Sequence, residues 1–245
     1  DMKKKAAKIA GNTCALVADP KDMVPYIPEL VSELKKSLID PNPEVRSVSA
    51  RALASLLDGA GEEHFEDLIP WLTEKMQGEG SGVERAGAAQ GLAECLNALG
   101  GDRFVAILPE VYRGCSSPLS RVREGHLQLL KFLPLSVGQK FEPYLSESLT
   151  TVLTGLADEE ESVRDAALGA GRVFVSAYSH SESALDLILP AIETGTNATE
   201  WRIRHCALEL LGSMLFRIVG SSGKARVQRA TAEEEEAAAD EEGIS

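Results

Sequence analysis

Aromatic residues, paired cysteines and long apolar runs are all scarce in this 245-residue sequence. Phe, Trp and Tyr together make up 5% of the residues, which disfavours a β-sandwich, because strands are rich in aromatic and β-branched side chains. The four cysteines form no CxxC pair and stand far apart, at Cys14, Cys95, Cys115 and Cys206. We therefore expect free thiols in a reducing, cytoplasmic compartment and neither a disulfide framework nor a zinc site.

The sequence also lacks a membrane segment and an excess of basic charge. No apolar run approaches the roughly 18 residues that mark a transmembrane helix, and no signal peptide precedes the first helical pattern. The 25 Lys and Arg residues are outnumbered by 38 Asp and Glu, for a net charge of -13. This balance argues against broad, nonspecific nucleic-acid binding, which requires Lys and Arg to neutralise phosphates, although it allows a local basic patch.

What the sequence does contain is a short motif, repeated five times, in which a β-branched residue is followed closely by Arg. The motifs begin at Val45, Val83, Val122, Val163 and Ile203, at intervals of 38, 39, 41 and 40 residues. A constant period near 40 is typical of two-helix HEAT or armadillo units. The period therefore predicts a repeat protein.

Each motif opens a helix with one apolar stripe. Apolar and small residues follow Val45 and Ile203 at positions 3, 4, 7, 8, 11 and 12, as on one face of a 3.6-residue helix. The segment after Val83 is the least regular, and its buried face is expected to rotate toward Ala89, Leu92 and Leu96. A second helical stretch precedes each motif, and Pro70, Pro109 and Pro190 each lie 13 residues before it, so these first helices are expected to bend or break.

The predicted fold is an all-α HEAT-repeat solenoid, a superhelical stack of antiparallel helical hairpins. Residues 1–20 form a half unit, because only a second-type helix is present there, and the sequence therefore looks like a piece of a longer solenoid. Five full units follow at residues 21–61, 62–100, 101–138, 139–180 and 181–220. Residues 221–245 form an acidic tail that we expect to be disordered.

The recurring arginines are predicted to form a structural ladder between units. Each guanidinium would bond an acid or a carbonyl of a neighbouring unit, since Arg–carboxylate pairs suit such turns. The ladder residues are Asp40, Arg46, Arg85, Arg123, Asp158, Arg164 and Arg204. A basic ladder for a partner is the alternative interpretation.

A second group of side chains are candidate contacts to a partner or to RNA. Lys3, Lys4, Lys5 and Lys8 cover much of the first helix, where they form either a solvated face or a phosphate contact. Trp201 opens the last second-type helix, where packing is the default and a partner contact the alternative.

The sequence offers no constellation for catalysis. The four histidines fall in different units, and none has metal-ligand spacing from another His or Cys. His126 lies on an apolar stripe, so we interpret it as a packed structural histidine. We therefore predict no enzyme, no catalytic, cofactor-binding or metal site, and no small-molecule substrate.

Several segments also resemble one particular family. They are the segments of residues 1–12, 82–92, 158–171 and 200–204, with Glu209-Leu210-Leu211-Gly212 and residues 220–224. These are similar to the general-control translational activator family, giant cytosolic HEAT scaffolds that associate with ribosomes and activate the kinase of eukaryotic initiation factor two alpha during amino-acid starvation.

The resemblance implies a role for residues 1 to about 225. It implies a segment of a ribosome-bound adaptor in the starvation or stalled-ribosome response, with the ribosome, the kinase and an ATP-binding-cassette protein as partners. The kinase-contact residues of the family have no matching positions here. The alternative is another HEAT scaffold, either a nuclear-transport receptor or a phosphatase scaffold.

Overall fold

The regular secondary structure of the described residues is entirely helical. A computed structural model describes residues 2–16, 20–100 and 103–219, and within those ranges no residue lies in a strand. The α-helices are α1 (Met2–Leu16), α2 (Ile27–Leu38), α3 (Pro43–Ala60), α4 (Leu68–Gln77), α5 (Gly82–Ala98), α6 (Arg103–Cys115), α7 (Ser120–Val137), α8 (Leu145–Gly155), α9 (Glu161–Tyr178), α10 (Glu182–Thr196) and α11 (201–219). Short 3₁₀ segments cover Pro20–Tyr26, Glu62–His64 and Gly138–Tyr144.

The helices alternate between two layers. The longer second helices α1, α3, α5, α7 and α9 each pack on the next one in the series, and the shorter helices α2, α4, α6 and α8 pack on the second helix of their own hairpin. The last helix, α11, packs on α9 and α10, because Leu210 lies against Gly171 and Ala207 against Gly195. The predicted all-α HEAT-repeat solenoid is confirmed, while the limits of the individual units stay a prediction.

The repeat register is carried by the arginine and not by the β-branched residue. Val45 and Val163 are buried, but Val83 is 38% exposed, and the residue directly before Arg85 is Glu84. Counted from position 84, the predicted stripe at positions 3, 4, 7, 8, 11 and 12 is buried in α5, as it is in α3 apart from the half-buried Val48. Ala89, Leu92 and Leu96, toward which the buried face of α5 was expected to rotate, are all buried, because the motif of this unit is in register at Glu84, one residue after Val83.

Two glycines let second helices approach the first helix of the preceding unit. A Cβ atom on Gly87 would lie 2.0 Å from the carbonyl oxygen of Leu38, and one on Gly125 would lie 2.1 Å from that of Met76. Both glycines stand two residues after the arginine of their unit, Arg85 and Arg123. Only a residue without a side chain fits such a distance, so the helix spacing depends on these positions.

The prolines affect the first helices less than expected. Helices α6 and α10 continue through Pro109 and Pro190 without a break in their α-helical assignment, and Pro70 is the third residue of α4. In two other units Pro25 and Pro143 lie in 3₁₀ segments that lead into α2 and α8. There the 3₁₀ turn accommodates the missing backbone donor of proline.

Two further expectations concern membrane segments and the acidic tail. None of the described helices is both long and apolar enough to cross a membrane. The acidic tail at 221–245, like the 220–224 segment, lies outside the described residues.

Candidate interaction surfaces

All five ladder arginines bind the turn between the two helices of their own unit. In each case Nη1 donates to two backbone carbonyls that lie five to seven residues earlier in the chain. The acceptor pairs are Asp40 and Pro41 for Arg46, Gly78 and Gly80 for Arg85, Ser117 and Pro118 for Arg123, Asp158 and Glu159 for Arg164, and Ala198 and Thr199 for Arg204. These bonds satisfy carbonyls at the end of the first helix and in the turn that would otherwise lack donors.

Two of the arginines also bridge to the next unit. Arg123 forms a bidentate pair with Asp158, with Nε–Oδ2 and Nη2–Oδ1 distances of 2.7 and 2.8 Å. Arg85 Nη2 donates to Glu124 Oε2 at 2.7 Å, and both side chains of that pair are nearly buried. Charge-assisted pairs of this kind are among the stronger polar contacts in proteins.

The other three arginines differ from the inter-unit expectation. Within the described ranges, the hydrogen bonds of Arg46, Arg164 and Arg204 stay inside their own unit. The acid that bonds Arg123, Asp158, stands six residues before Arg164. The equivalent residue of the next turn, six residues before Arg204, is Ala198, so this position offers Arg164 no carboxylate. For Arg46 the equivalent residue of the next turn is Glu79, six residues before Arg85. Its exposed carboxylate lies 3.8 Å from Arg121 and is not bonded to Arg46. The structural role of the whole ladder stays a prediction.

Asp40 and Asp158 occupy the same place in their turns and both receive a base from the preceding unit. Asp40 accepts from Lys3 Nζ at 2.7 Å, as Asp158 accepts from Arg123. The hydrogen bonds from these bases lower the pKa of each carboxyl below its ordinary value. Both aspartates are thus held in the charged form.

The four N-terminal lysines are not equivalent. Lys3 is paired with Asp40, and Lys4 with Glu44 at 2.5 Å. Lys5 is exposed on α1. Lys8 is also exposed and lines a groove between α1 and α3.

We call this feature the Lys8–Arg51 groove. Its lining residues are Lys4, Ala7, Lys8, Asn12, Val48, Arg51, Ala52 and Ser55. Three of them are basic and none of those described is acidic, although the chain as a whole is strongly acidic. Arg51 was not among the sequence candidates. It stands six residues after Val45, as Lys8 stands six after Met2, so the helical register was a signal that could have identified it.

The Trp201 side chain is more exposed than the packed residue that the sequence favoured. The side chain is 61% exposed, and the guanidinium of Arg202 lies 5.4 Å from the centre of its ring. It borders a shallow groove with Arg164, Leu168 and His205. This exposure leaves the partner contact, the alternative interpretation of Trp201, as a prediction.

His126 is a packed residue in the structure. It is 3% exposed, its Nδ1 lies 2.7 Å from the Val122 carbonyl oxygen, and Gln77 lies 3.5 Å from Nε2. Burial lowers its pKa below the ordinary histidine value, which favours a neutral ring that donates from Nδ1. This geometry agrees with a structural histidine.

The cysteines offer no reactive thiolate in the described ranges. Cys95, Cys115 and Cys206 are free thiols, and burial raises the pKa of Cys95 and Cys115 to about 12. The side chain of Cys14 lies outside the described residues. Among the residues searched, no group of three or more His, Cys, Asp or Glu side chains is arranged to hold a metal ion.

Comparison with known families adds to this geometry. Residues 85–218 match the family described as the EF3 N-terminal HEAT repeat, and residues 1–67 match the elongation factor 3/GNC1 HEAT repeat. Together the two matches reach every second helix from α1 to α11. The chain belongs to the GCN1 family of HEAT-repeat proteins. The resemblance seen in the sequence motifs is thereby confirmed.

Relatives in the GCN1 family cover nearly the whole chain. "Protein ILITYHIA" of Arabidopsis thaliana is 52% identical over 245 residues, which is 100% of this chain and 9% of that protein. The human "Stalled ribosome sensor GCN1" is 44% identical over 94% of this chain and 9% of its own length. The "eIF-2-alpha kinase activator GCN1" of Saccharomyces cerevisiae is 40% identical over 91% of this chain and 8% of its own length.

This chain matches only a small part of the length of each of these relatives. It spans about a tenth of the length of these relatives. What those proteins do as a whole therefore involves about ten times the length of chain described above.

Proposed function

We propose that this chain is a non-catalytic HEAT scaffold in the translational stress response, and that its Lys8–Arg51 groove contacts the ribosome. Family membership supports the first part of the proposal. One relative is named a stalled ribosome sensor and another an eIF-2-alpha kinase activator, names that favour translational control over a nuclear-transport receptor or a phosphatase scaffold. The proposed compartment is the cytoplasm, where ribosomes translate.

The observation that carries the ribosome contact is the charge of the groove. Lys8 and Arg51 lie in its lining, which contains no acidic residue among those described, and the third basic lining residue, Lys4, is paired with Glu44. Since ribosomal RNA exposes phosphates, a basic groove on an acidic protein would direct binding to one surface and disfavour others. Ser55 and Asn12 add uncharged polar groups that can bond to phosphate or sugar oxygens.

The remaining partners belong to the proposal for the whole protein. The initiation-factor-two-alpha kinase follows from the name of the yeast relative, and the ATP-binding-cassette protein follows from the family resemblance alone. Exposed Trp201 is the best candidate here for a protein contact, because an exposed aromatic side chain gives a large contact area. We propose no small-molecule substrate for a scaffold of this class.

Charge reversal in the groove is expected to weaken ribosome binding. The double substitution Lys8→Glu and Arg51→Glu should lower the affinity of the chain for purified ribosomes by about tenfold, because it removes two phosphate contacts. The loss of these contacts should also make binding less dependent on salt concentration. Co-sedimentation over a series of salt concentrations measures both effects.

The matched control for charge reversal is Lys36→Glu. Lys36 lies on a first helix, α2, and pairs with Glu33 at 2.6 Å, so reversing it changes the net charge without touching the groove. The single variants Lys8→Glu and Arg51→Glu each change the net charge by the same amount as Lys36→Glu, so binding by both single variants equal to that of the control would contradict the groove contact.

A further inference from the structure

Ser117 occupies the position in its turn that Asp40 and Asp158 occupy in theirs. In all three turns the backbone carbonyl of this residue accepts from Nη1 of the arginine six positions later, at 2.9 Å for Asp40, 2.8 Å for Ser117 and 2.7 Å for Asp158. A side-chain oxygen of the same residue accepts from the backbone N–H two positions later, at 2.9, 3.3 and 3.0 Å respectively. The Ser117 hydroxyl therefore stands where two other units have a carboxylate.

The carboxylate at this position receives the base of the preceding unit. Lys3 donates to Asp40, and Arg123 donates to Asp158 through both Nε and Nη2. In the register of the stack, the base that precedes Ser117 is Arg85. A serine hydroxyl cannot replace the charge of the missing carboxylate.

Arg85, the base at this junction, has one donor without an acceptor. Its Nη2 is bonded to Glu124, but its Nε is buried and has no hydrogen-bond partner in the described part of the chain. At Arg123 the equivalent Nε is bonded to Asp158 at 2.7 Å. One donor of Arg85 thus lacks an acceptor at the junction where Ser117 stands in for Asp.

Helix α7, which begins just after Ser117, lacks negative charge at its start. Helices α3, α5 and α9 carry Glu44, Glu84 and Glu161 in their first turns, whereas α7 has no acidic residue there and its N-cap Leu119 makes no side-chain bond. An anion at this helix end would be favoured by the helix dipole.

We propose that Ser117 is a phosphorylation site for a proline-directed serine/threonine kinase, and that its phosphate completes the ladder by accepting from Arg85. Pro118 follows the serine directly, and the half-buried Ser117 lies between exposed Ser116 and Pro118 in the turn between α6 and α7. A phosphate group carries about two negative charges and three acceptor oxygens. It therefore supplies what the carboxylate supplies in the neighbouring turns.

The modification is a phosphoryl transfer from ATP, bound by that separate kinase. The Ser117 Oγ forms a bond to the γ-phosphorus while the bond between that phosphorus and the β,γ-bridging oxygen breaks. ADP leaves with the bond electrons, and the hydroxyl proton passes to the base of the kinase. The product would stiffen the junction between α5 and α7.

The test combines peptide mapping with thermal unfolding of the 245-residue chain. A purified proline-directed kinase with ATP should modify Ser117, and the Ser117→Ala variant should lose that modification. The phosphorylated chain and the Ser117→Asp variant should each unfold about 2–4 °C higher than the unmodified chain, the shift expected for one well-formed charged contact in a protein of this size. Ser116→Asp, which adds the same charge one residue outside the register, should leave the unfolding temperature unchanged.

The role of Arg85 is tested in the same series. The gain from Ser117→Asp should shrink to the small helix-dipole contribution in an Arg85→Gln background, and Arg85→Gln combined with Glu124→Gln serves if the single variant fails to fold. The proposal is overturned if the folded chain is not modified at Ser117, if modification leaves the unfolding temperature unchanged, or if Ser116→Asp stabilises equally. It is also overturned if the full gain persists without Arg85.

Discussion

The substitution Gly125→Ala is expected to lower the free energy of unfolding by about 3 kcal/mol, the upper part of the range for overpacked sites. The new methyl group would meet the Met76 carbonyl oxygen at 2.1 Å and the carbonyl carbon at 3.0 Å. These are backbone atoms at the end of α4, so no side-chain rotation relieves the clash. Helices α4 and α7 would have to move apart.

The sign of this effect opposes helix propensity. Alanine is favoured over glycine inside a helix by about 1 kcal/mol, so an open site would gain stability from the same change. Gly212 is that open site, since a Cβ there meets no neighbouring heavy atom within 4 Å among the described residues. Urea unfolding of both variants measures the difference, and a stabilised Gly125→Ala protein would show that the close approach of α7 to α4 is wrong.

The substitution Glu124→Ala is expected to cost about 3 kcal/mol, because removing one partner of a buried ion pair leaves the other charge without compensation. The side chains of Glu124 and Arg85 are 5% and 12% exposed and their atoms lie 2.7 Å apart. Without Glu124, Arg85 would keep its turn carbonyls but lose its anionic partner between units. Thermal and urea unfolding of the purified chain measure the loss.

A second inter-unit pair provides the control for Glu124. Arg172 and Glu209 also join adjacent second helices, but their side chains are 57% and 34% exposed. Exposed pairs contribute less than about 1 kcal/mol, so Glu209→Ala should be nearly neutral. Equal losses in the two variants would mean that burial does not decide the strength of these ladder contacts.

The fold could be predicted from the sequence because many independent positions follow the same repeat. The period near 40, the apolar stripes and the recurring arginines all point to stacked hairpins, and such redundancy is typical of repeat proteins. The register of one unit was misread because Val83 resembles the β-branched residue of the other motifs. In the structure Ser81 caps α5, which makes Glu84 the equivalent residue.

The candidate site was less accessible to sequence reasoning because it depends on pairs between units. Glu124 could not be identified as the acceptor of Arg85, since it lies within α7 and not in a turn, where the acids Asp40 and Asp158 were found. The Lys8–Arg51 groove combines residues from two helices that are 43 positions apart in the chain. Only the packing of α1 on α3 brings these two bases to one surface.

The central claim, that this scaffold contacts the ribosome through the Lys8–Arg51 groove, is tested most directly by site-specific cross-linking. A photoreactive amino acid replaces Ser55, an uncharged lining residue of the groove, in the protein as expressed in cells, and ribosomes are isolated after irradiation. The account predicts cross-links from position 55 to ribosomal RNA or ribosomal protein, and far fewer from a probe at Lys36 on α2. Cross-links from position 55 that reach only other HEAT repeats, or a probe at Lys36 that reaches the ribosome as well, would contradict it.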